Sequence, residues 1–405
     1  MTYTVPNSEN TDKKLTGPTS IKDVPSEKFP GVAANAVRVL WLNWRDIKNP
    51  EAGGAEVFTH EVMHRLVKKG HEMTLFTASF FNAKKKEKID GINIIRDGGK
   101  YTVYRKARKF YRKYGKNYDV IVDEINVKPF LTPNYVNKEE KKPIVALIYQ
   151  ISSEQFLLEL PFPLSYIGYF LEKRWLSYYK EILTLTISDS TKKDLENLGF
   201  RNVIVVPIGV GFTPLRSVPE KETRPTVVFI GRLKRHKLPD HAILAFSLIK
   251  KQLAGAQLWV IGDGYMRKEL EKKFNIKDVT FYGRVTSELK YQLLSRAHVV
   301  LVPAIREGWA LVVTESNAVG TPVIAYDVPG LRDSVRNGRT GVLVKGNSPD
   351  SLAQAAVSLL KDQDLLNKYS FSALAFSREF SWDASADAFD KIIREKAIMS
   401  TEVDN

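Results

Sequence analysis

The sequence predicts a doubly wound α/β protein made of two similar halves in series. Three observations predict it. Short apolar runs of strand length alternate with amphipathic helical patterns along most of the chain. The alternation halts at a Pro-, Gly- and charge-rich passage, Pro207 to Pro225, and then restarts. Glycines cluster directly after the predicted strands, where parallel sheets carry their ligand loops.

The first half opens with the strand Val37–Leu42, which runs into Asn43-Trp44-Arg45-Asp46. After Asn49-Pro50 come Glu51-Ala52-Gly53-Gly54-Ala55-Glu56. Phe58, Val62 and Leu66 then recur every fourth residue, the mark of an amphipathic helix, which Gly70 ends. Further strands are predicted at Met73–Thr77, Ile92–Ile95, Tyr118–Asp123, Pro143–Ile148, Ile182–Ile187 and Val203–Val206. The second half begins at Thr226–Ile230 and continues through Leu258–Ile261, Val279–Tyr282, His298–Val302, Pro322–Ala325 and Gly341–Val344. Helical patterns fall near residues 239–252, 265–274, 286–296 and 349–361. The predicted organisation is a polar, disordered leader (1–36), a first domain (37–206), a linker (207–225), a second domain (226–380), and a last helix with a polar tail (381–405).

Composition narrows the function classes. The 405 residues contain no cysteine, so disulfides and thiolate metal sites are excluded. The six histidines show no metal-ligand spacing. No run of about eighteen apolar residues is present, so a membrane-spanning helix is not expected. The leader lacks the apolar segment of a signal peptide. A net charge of +15 implies an acidic partner, whether nucleic acid, anionic lipid or a phosphorylated ligand.

The candidate functional residues sit at predicted strand tips. Gly53-Gly54 offers bare amides at a helix N-terminus, which suits a phosphate and equally suits a tight turn. Gly231-Arg232-Leu233, with Lys237 five residues after the arginine, puts a guanidinium fork and an ammonium at the first strand tip of the second half. Gly262-Asp263-Gly264 and Gly283-Arg284-Val285 mark two more tips. The stretch Val300 to Ala325 reads strand, loop, helix, strand, with Glu307 in the loop and Glu315 within an otherwise apolar helix. A buried carboxylate needs hydrogen-bond donors, and a ribose diol would supply two. Turns, helix-dipole charges and solvated surface explain each feature singly. Four such loops on one sheet edge form a site-like coincidence.

Together these motifs resemble the retaining glycosyltransferases of glycosyltransferase family 4, from about Val37 to Trp382. The most specific part is the Glu307–Glu315 element in REGWALVVTESNAVGTPVIA. FIGRLKRHK, VIGDGYMRKEL, YGRV, VPGLRDSVRNGRTGVLV, NPEAGGAE and TISDSTKKDLENLGF reinforce it. The resemblance implies a GT-B fold, two Rossmann-like domains facing across a cleft, with the C-terminal helix crossing back to the first domain. It implies that Arg232 and Lys237 hold the diphosphate of a nucleotide sugar, faced by the amides of Gly53 and Gly54. Glu315 would take the ribose and Glu307 the transferred sugar. The amides of Gly308, Trp309, Ala310 and Leu311 would cap sugar and phosphate, and Arg284 and Val285 would lie along the base. No metal and no cofactor beyond the nucleotide-sugar substrate is implied. Two departures stand out. Tyr149-Gln150 occupies the place where the family often has histidine then glutamine, and is expected to contact sugar or acceptor. Ala310 stands where glycine is common.

Two stretches bear on the acceptor. Residues 100–118 carry eight basic residues and no acidic one, with Tyr104, Ala107, Tyr111, Tyr114 and Tyr118 on one stripe. Residues 155–179 are apolar and aromatic but broken by Glu159, Pro161 and Pro163. Either could be an ordinary packed helix. Either could equally meet an anionic membrane surface beside the mouth for a lipid-linked acceptor. The expected function is transfer of a hexose from a nucleotide-diphosphate sugar to a lipid or lipid-linked glycan, in the cytoplasm at the inner membrane face. The alternatives are synthesis of a soluble glucoside, sugar-nucleotide binding without catalysis, and nucleic-acid binding. The last finds no motif, so no nucleic-acid partner is expected.

Overall fold

The computed structural model describes residues 36–136, 142–274 and 276–403. The predicted leader lies outside them apart from Ala36, as do the last two residues of the tail.

The first domain runs β1 (Arg38–Leu42), α1 (Gly54–Lys68), β2 (Glu72–Thr77), β3 (Lys86–Ile89), β4 (Ile92–Arg96), α2 (Val103–Tyr114), β5 (Val120–Glu124) and β6 (Ile144–Leu147). It continues with α3 (Ser153–Glu159), α4 (Leu164–Leu176), β7 (Leu183–Thr186), α5 (Asp189–Asn197) and β8 (Val203–Val205). Its sheet has the order β3-β4-β2-β1-β5-β6-β7-β8 and is parallel except for β3. The central strands are largely apolar because helices cover both faces, and every residue of β5 and β6 is buried, Asp123 and Glu124 at the end of β5 included. The edge strand β3 was not predicted. Its sequence, KEKI, has one apolar residue and no alternation worth the name. What holds it is the turn Asp90-Gly91, where both residues have positive φ and the hairpin folds back onto β4.

The second domain runs β9 (Thr226–Ile230), α6 (Pro239–Gln252), β10 (Gln257–Ile261), α7 (Arg267–Lys273), β11 (Val279–Gly283), α8 (Ser287–Arg296) and β12 (Val299–Val302). Then come α9 (Leu311–Ala318), β13 (Val323–Tyr326), α10 (Leu331–Ser334), β14 (Gly341–Val344), α11 (Pro349–Lys361) and α12 (Gln363–Ser377). Its all-parallel sheet has the order β11-β10-β9-β12-β13-β14. In each sheet the chain builds outward on one side of its first strand and then returns to the other. The switch points are β1/β5 and β9/β12, and crevices at such points are where doubly wound sheets bind ligands. Helix α12, which the periodicity does not announce, is started by the Asp362 side chain accepting from the Leu365 N–H at 2.9 Å.

The last helix, α13 (Trp382–Val403), leaves the second domain and packs on the first. Trp382, Phe389, Ile392 and Ile393 join the core formed by Trp41, Phe58 and Leu66. The Phe389 and Trp41 rings stack at 5.4 Å. Ion pairs Arg65–Asp383 and Lys69–Asp387 flank this seam, and the His71 ring meets Asp390 at 2.6 Å. The crossing depends on Gly209, where a Cβ would stand 2.1 Å from the Trp382 ring. A side chain there would expel the helix.

Candidate active site

The loops after β1, β9 and β12 meet between the two domains. From β1, Arg45 turns back through its Nε to Glu56 Oε1 (2.8 Å) and donates to the Glu51 carbonyl (2.8 Å). Glu56 Oε2 accepts from the Gly53 N–H at 2.7 Å. The Gly53 amide, expected to face a diphosphate, is therefore committed to its own helix cap. Gly54 faces the cleft: a Cβ on it would lie 3.2 Å from Leu311 of the second domain.

From β9, Arg232 opens to solvent in the cleft, while Lys237 bends back within a 3₁₀ turn. Surrounding protein pulls the Arg232 pKa down, as does the charge of Arg45, against the attraction of Glu307, Glu56 and Glu51. Desolvation, not a surplus of positive neighbours, lowers it, since Arg45 is one cation against three carboxylates. From β12, Glu307 is 8% exposed and its Oε1 is ion-paired with Lys237 Nζ. Glu315, in α9, is also 8% exposed, and its Oε1 accepts from Lys290 Nζ at 2.6 Å. The two glutamates thus have separate cations. They form no shared-proton pair, and each is held by charge at its own end of the site.

Close approach of the domains is built into Gly308. A Cβ there would come 2.6 Å from the Tyr149 carbonyl oxygen, a backbone atom that cannot step aside. Ala310, two residues on, has φ 66° and caps α9 from the left-handed region, which explains why glycine suits this position. Trp309 packs its ring on Phe380 (5.5 Å) and onto the first domain's core alongside Leu311.

Family models match across this architecture, one described as "Glycosyltransferase Family 4" over residues 52–211 and one as "Glycosyl transferases group 1" over residues 214–376. The chain belongs to the group 1, family 4 glycosyltransferases. Among curated relatives of this glycosyltransferase, a D-inositol 3-phosphate glycosyltransferase of Nocardia farcinica is 34% identical over 203 residues, which is 45% of each chain. A phosphatidyl-myo-inositol mannosyltransferase of Mycobacterium leprae is 27% identical over 233 residues, 55% of this chain and 62% of that one. The chain spans about half the length of the curated relatives it matches. Sucrose-phosphate synthase from Thermosynechococcus elongatus superposes with a TM-score of 0.74 at 19% identity, over 89% of this chain and 98% of that one. The shared fold is GT-B.

Several expected site residues have protein partners of their own. The Tyr149 phenol, expected to contact sugar or acceptor, turns into the first domain. It is buried in the first domain, donating to the Ala55 carbonyl (3.3 Å) and lying 3.1 Å from the Thr59 hydroxyl. Its neighbour Gln150 keeps its Oε1 buried without a protein partner, so the polar group at this strand tip belongs to the second residue of the pair. Arg284, expected to lie along a base, bridges the domains, donating to the Pro50 carbonyl at 2.6 Å. Val285 packs against the second domain's core. Lys290, which no local pattern marks, is the residue that the sequence missed at Glu315. Arg45 was missed too, although a lone arginine following a strand, ahead of two glutamates, is a legible signal.

Proposed function

We propose that the protein is a retaining glycosyltransferase that moves a hexose from a nucleotide-diphosphate sugar to an inositol-containing or other lipid-linked acceptor at a membrane face. The observation that carries this reading is the cluster of Arg232, Lys237 and Glu307 at the switch point of the second sheet, opposite Arg45 and Gly54. Arg232 and Lys237 would stabilise the departing diphosphate with fixed positive charge in a cleft, where such charge is worth far more than in bulk water. On this reading no bound metal is required, because two cations meet the developing negative charge. Glu307 holds the Lys237 ammonium and would exchange part of that contact for sugar hydroxyls. The Glu315–Lys290 pair would receive the ribose. Retention follows if the acceptor attacks from the leaving-group face and a phosphate oxygen takes its proton; no carboxylate is placed as a nucleophile in this proposal.

The relatives' names support an inositol-bearing acceptor, and the surface of the first domain supports a lipid one. The α3–α4 hairpin exposes Phe162 (81%) and Phe170 (64%), with Leu164, Tyr166 and Ile167 between them. Lys128 links this hairpin to the basic helix α2, lying 4.5 Å from the Tyr104 ring centroid and 5.8 Å from that of Trp175. Among the described residues no helix is long and apolar enough to cross a membrane. The test is a panel of UDP- and GDP-sugars offered with inositol phosphate, phosphatidylinositol or membrane lipid extract. Transfer from one donor with retained anomeric configuration is expected. Binding without turnover of any donor would overturn the reading in favour of a sugar-nucleotide sensor.

A further inference from the structure

Glu159 is the acidic residue that interrupts the apolar stretch of the hairpin, and its carboxylate is half-buried. It reaches across the domain boundary to the donor loop. Oε1 accepts from the His236 N–H at 3.0 Å and lies 2.6 Å from His236 Nδ1. Oε2 accepts from the Tyr265 hydroxyl at 2.7 Å, and that hydroxyl accepts in turn from the Arg235 N–H at 3.0 Å. Burial works against its charge, but the His236 backbone and ring bonds and the Tyr265 bond prevail and hold the carboxyl below its ordinary range. A second acidic residue of the same short helix, Glu154, meets Arg306 at 3.2 Å.

These partners have telling neighbours. His236 precedes Lys237, and Arg306 precedes Glu307. The two loops are themselves joined, since the Ile305 N–H donates to the His236 carbonyl at 3.1 Å. Helix α3 is fixed in turn to α4: the Ser152 N–H donates to Glu172 at 2.8 Å, and Gly168 lets the Phe156 ring close in, a Cβ there meeting it at 2.9 Å. One rigid hairpin, apolar and exposed on its outer side, therefore grips the chain immediately before both members of the Lys237–Glu307 pair.

We propose that Glu159 is a positioning residue, an interdomain latch through which the acceptor-side hairpin sets the register of Lys237 and Glu307. This rests on the transferase reading for its catalytic consequence and on geometry alone for its structural one. A charge-assisted bond to a backbone amide at such a point is strong, and losing it frees a loop whose placement decides how well Lys237 meets the leaving group.

The experiment uses the full chain with Glu159→Ala and Glu159→Gln. Hydrogen exchange is followed over residues 234–238 and 304–308, and kcat and KM are measured for hydrolysis of UDP-glucose and of GDP-mannose. In Glu159→Ala both segments should exchange about tenfold faster, and kcat should fall about tenfold with the donor KM little changed, a loss matching one charged hydrogen bond. Glu159→Gln keeps a carbonyl oxygen for the His236 N–H and should recover most of both, at an unchanged Tm. Exchange that stays at the wild-type rate in residues 304–308, or a kcat loss that Gln does not relieve, overturns the latch. If the wild type hydrolyses neither nucleotide sugar the transferase reading is what fails, and the exchange rates still decide whether Glu159 holds the two loops.

Discussion

At the scale of single residues, Lys237 and Glu307 are each other's counter-charge, so removing either has two effects. It takes one group from the site and leaves the other without its counter-charge. On the proposed function, Lys237 faces the leaving group and the catalytic part dominates. Lys237→Ala and Glu307→Ala are each expected to lower transfer by about 10²–10³-fold, the usual cost of losing one fixed transition-state contact, with the melting temperature nearly intact. Turnover close to wild type in either variant would refute the role given to it. His298 offers a prediction about stability. Its Nδ1 accepts from the Thr226 N–H at 3.1 Å, and burial, then the Lys221 charge, depress its pKa from 6.5 to about 4. Above pH 6.5 the ring is neutral in folded and unfolded chains alike. As pH falls from 6.5 through 4 only the unfolded chain takes up the proton, so stability is lost over that window, by ~1–3 kcal/mol. His298→Asn keeps an acceptor for Thr226 without titrating, and its denaturation midpoint should decline less over the same range. Parallel pH profiles would exclude the explanation.

At the scale of elements, α2 and the α3–α4 hairpin divide the two ways of meeting a membrane. The aromatic stripe of α2 packs inward, with Ala107 and Tyr111 buried and Tyr104 and Tyr114 half-buried, so its arginines and lysines all look outward. The hairpin does the reverse and turns its aromatic side chains to solvent. An exposed apolar run beside a basic face suits an anionic bilayer, with apolar burial at roughly 25 cal/mol per Å² adding to charge attraction. Flotation with phosphatidylglycerol-containing liposomes at low salt should recover the wild type. Phe162→Ser with Phe170→Ser should float poorly while still hydrolysing donor in solution. Equal flotation of both proteins would remove the hairpin from the membrane account.

At the scale of the whole molecule, α13 leaves the second domain and packs into the core of the first. Its apolar face completes the first domain's core, so that domain does not own all of its interior. Phe389→Ala should cost ~3–5 kcal/mol, the range for emptying a buried aromatic site, and the loss should appear as unfolding of the first domain ahead of the second. A single unshifted transition in calorimetry would count against this division of labour. The cleft is held from both sides as well. Gly308 approaches Tyr149, Gly54 approaches Leu311 and Arg284 donates to Pro50, so three contacts tie the loops of the two domains together.

Much of this was legible in the chain. Strand-length apolar runs between amphipathic helices determined two doubly wound domains, because parallel sheets buried on both faces leave no alternative pattern. Glycine and charge at the strand tips marked loops that the fold brings together between the domains, and Arg232, Lys237 and Glu307 lie on them. Those inferences are local: they need only a period of 2 or 3.6 and the rule that ligands sit beyond strand ends. Tertiary structure alone decided which charge meets which. Lys290 reaches Glu315, Glu159 reaches His236, and Arg284 turns to Pro50, across 25, 77 and 234 residues of chain. It also decided that the Tyr149 phenol is buried while the aromatic residues of the hairpin are not. A side chain's type and spacing are written in the sequence, but its partner is fixed by how two separately folded sheets come to rest against each other.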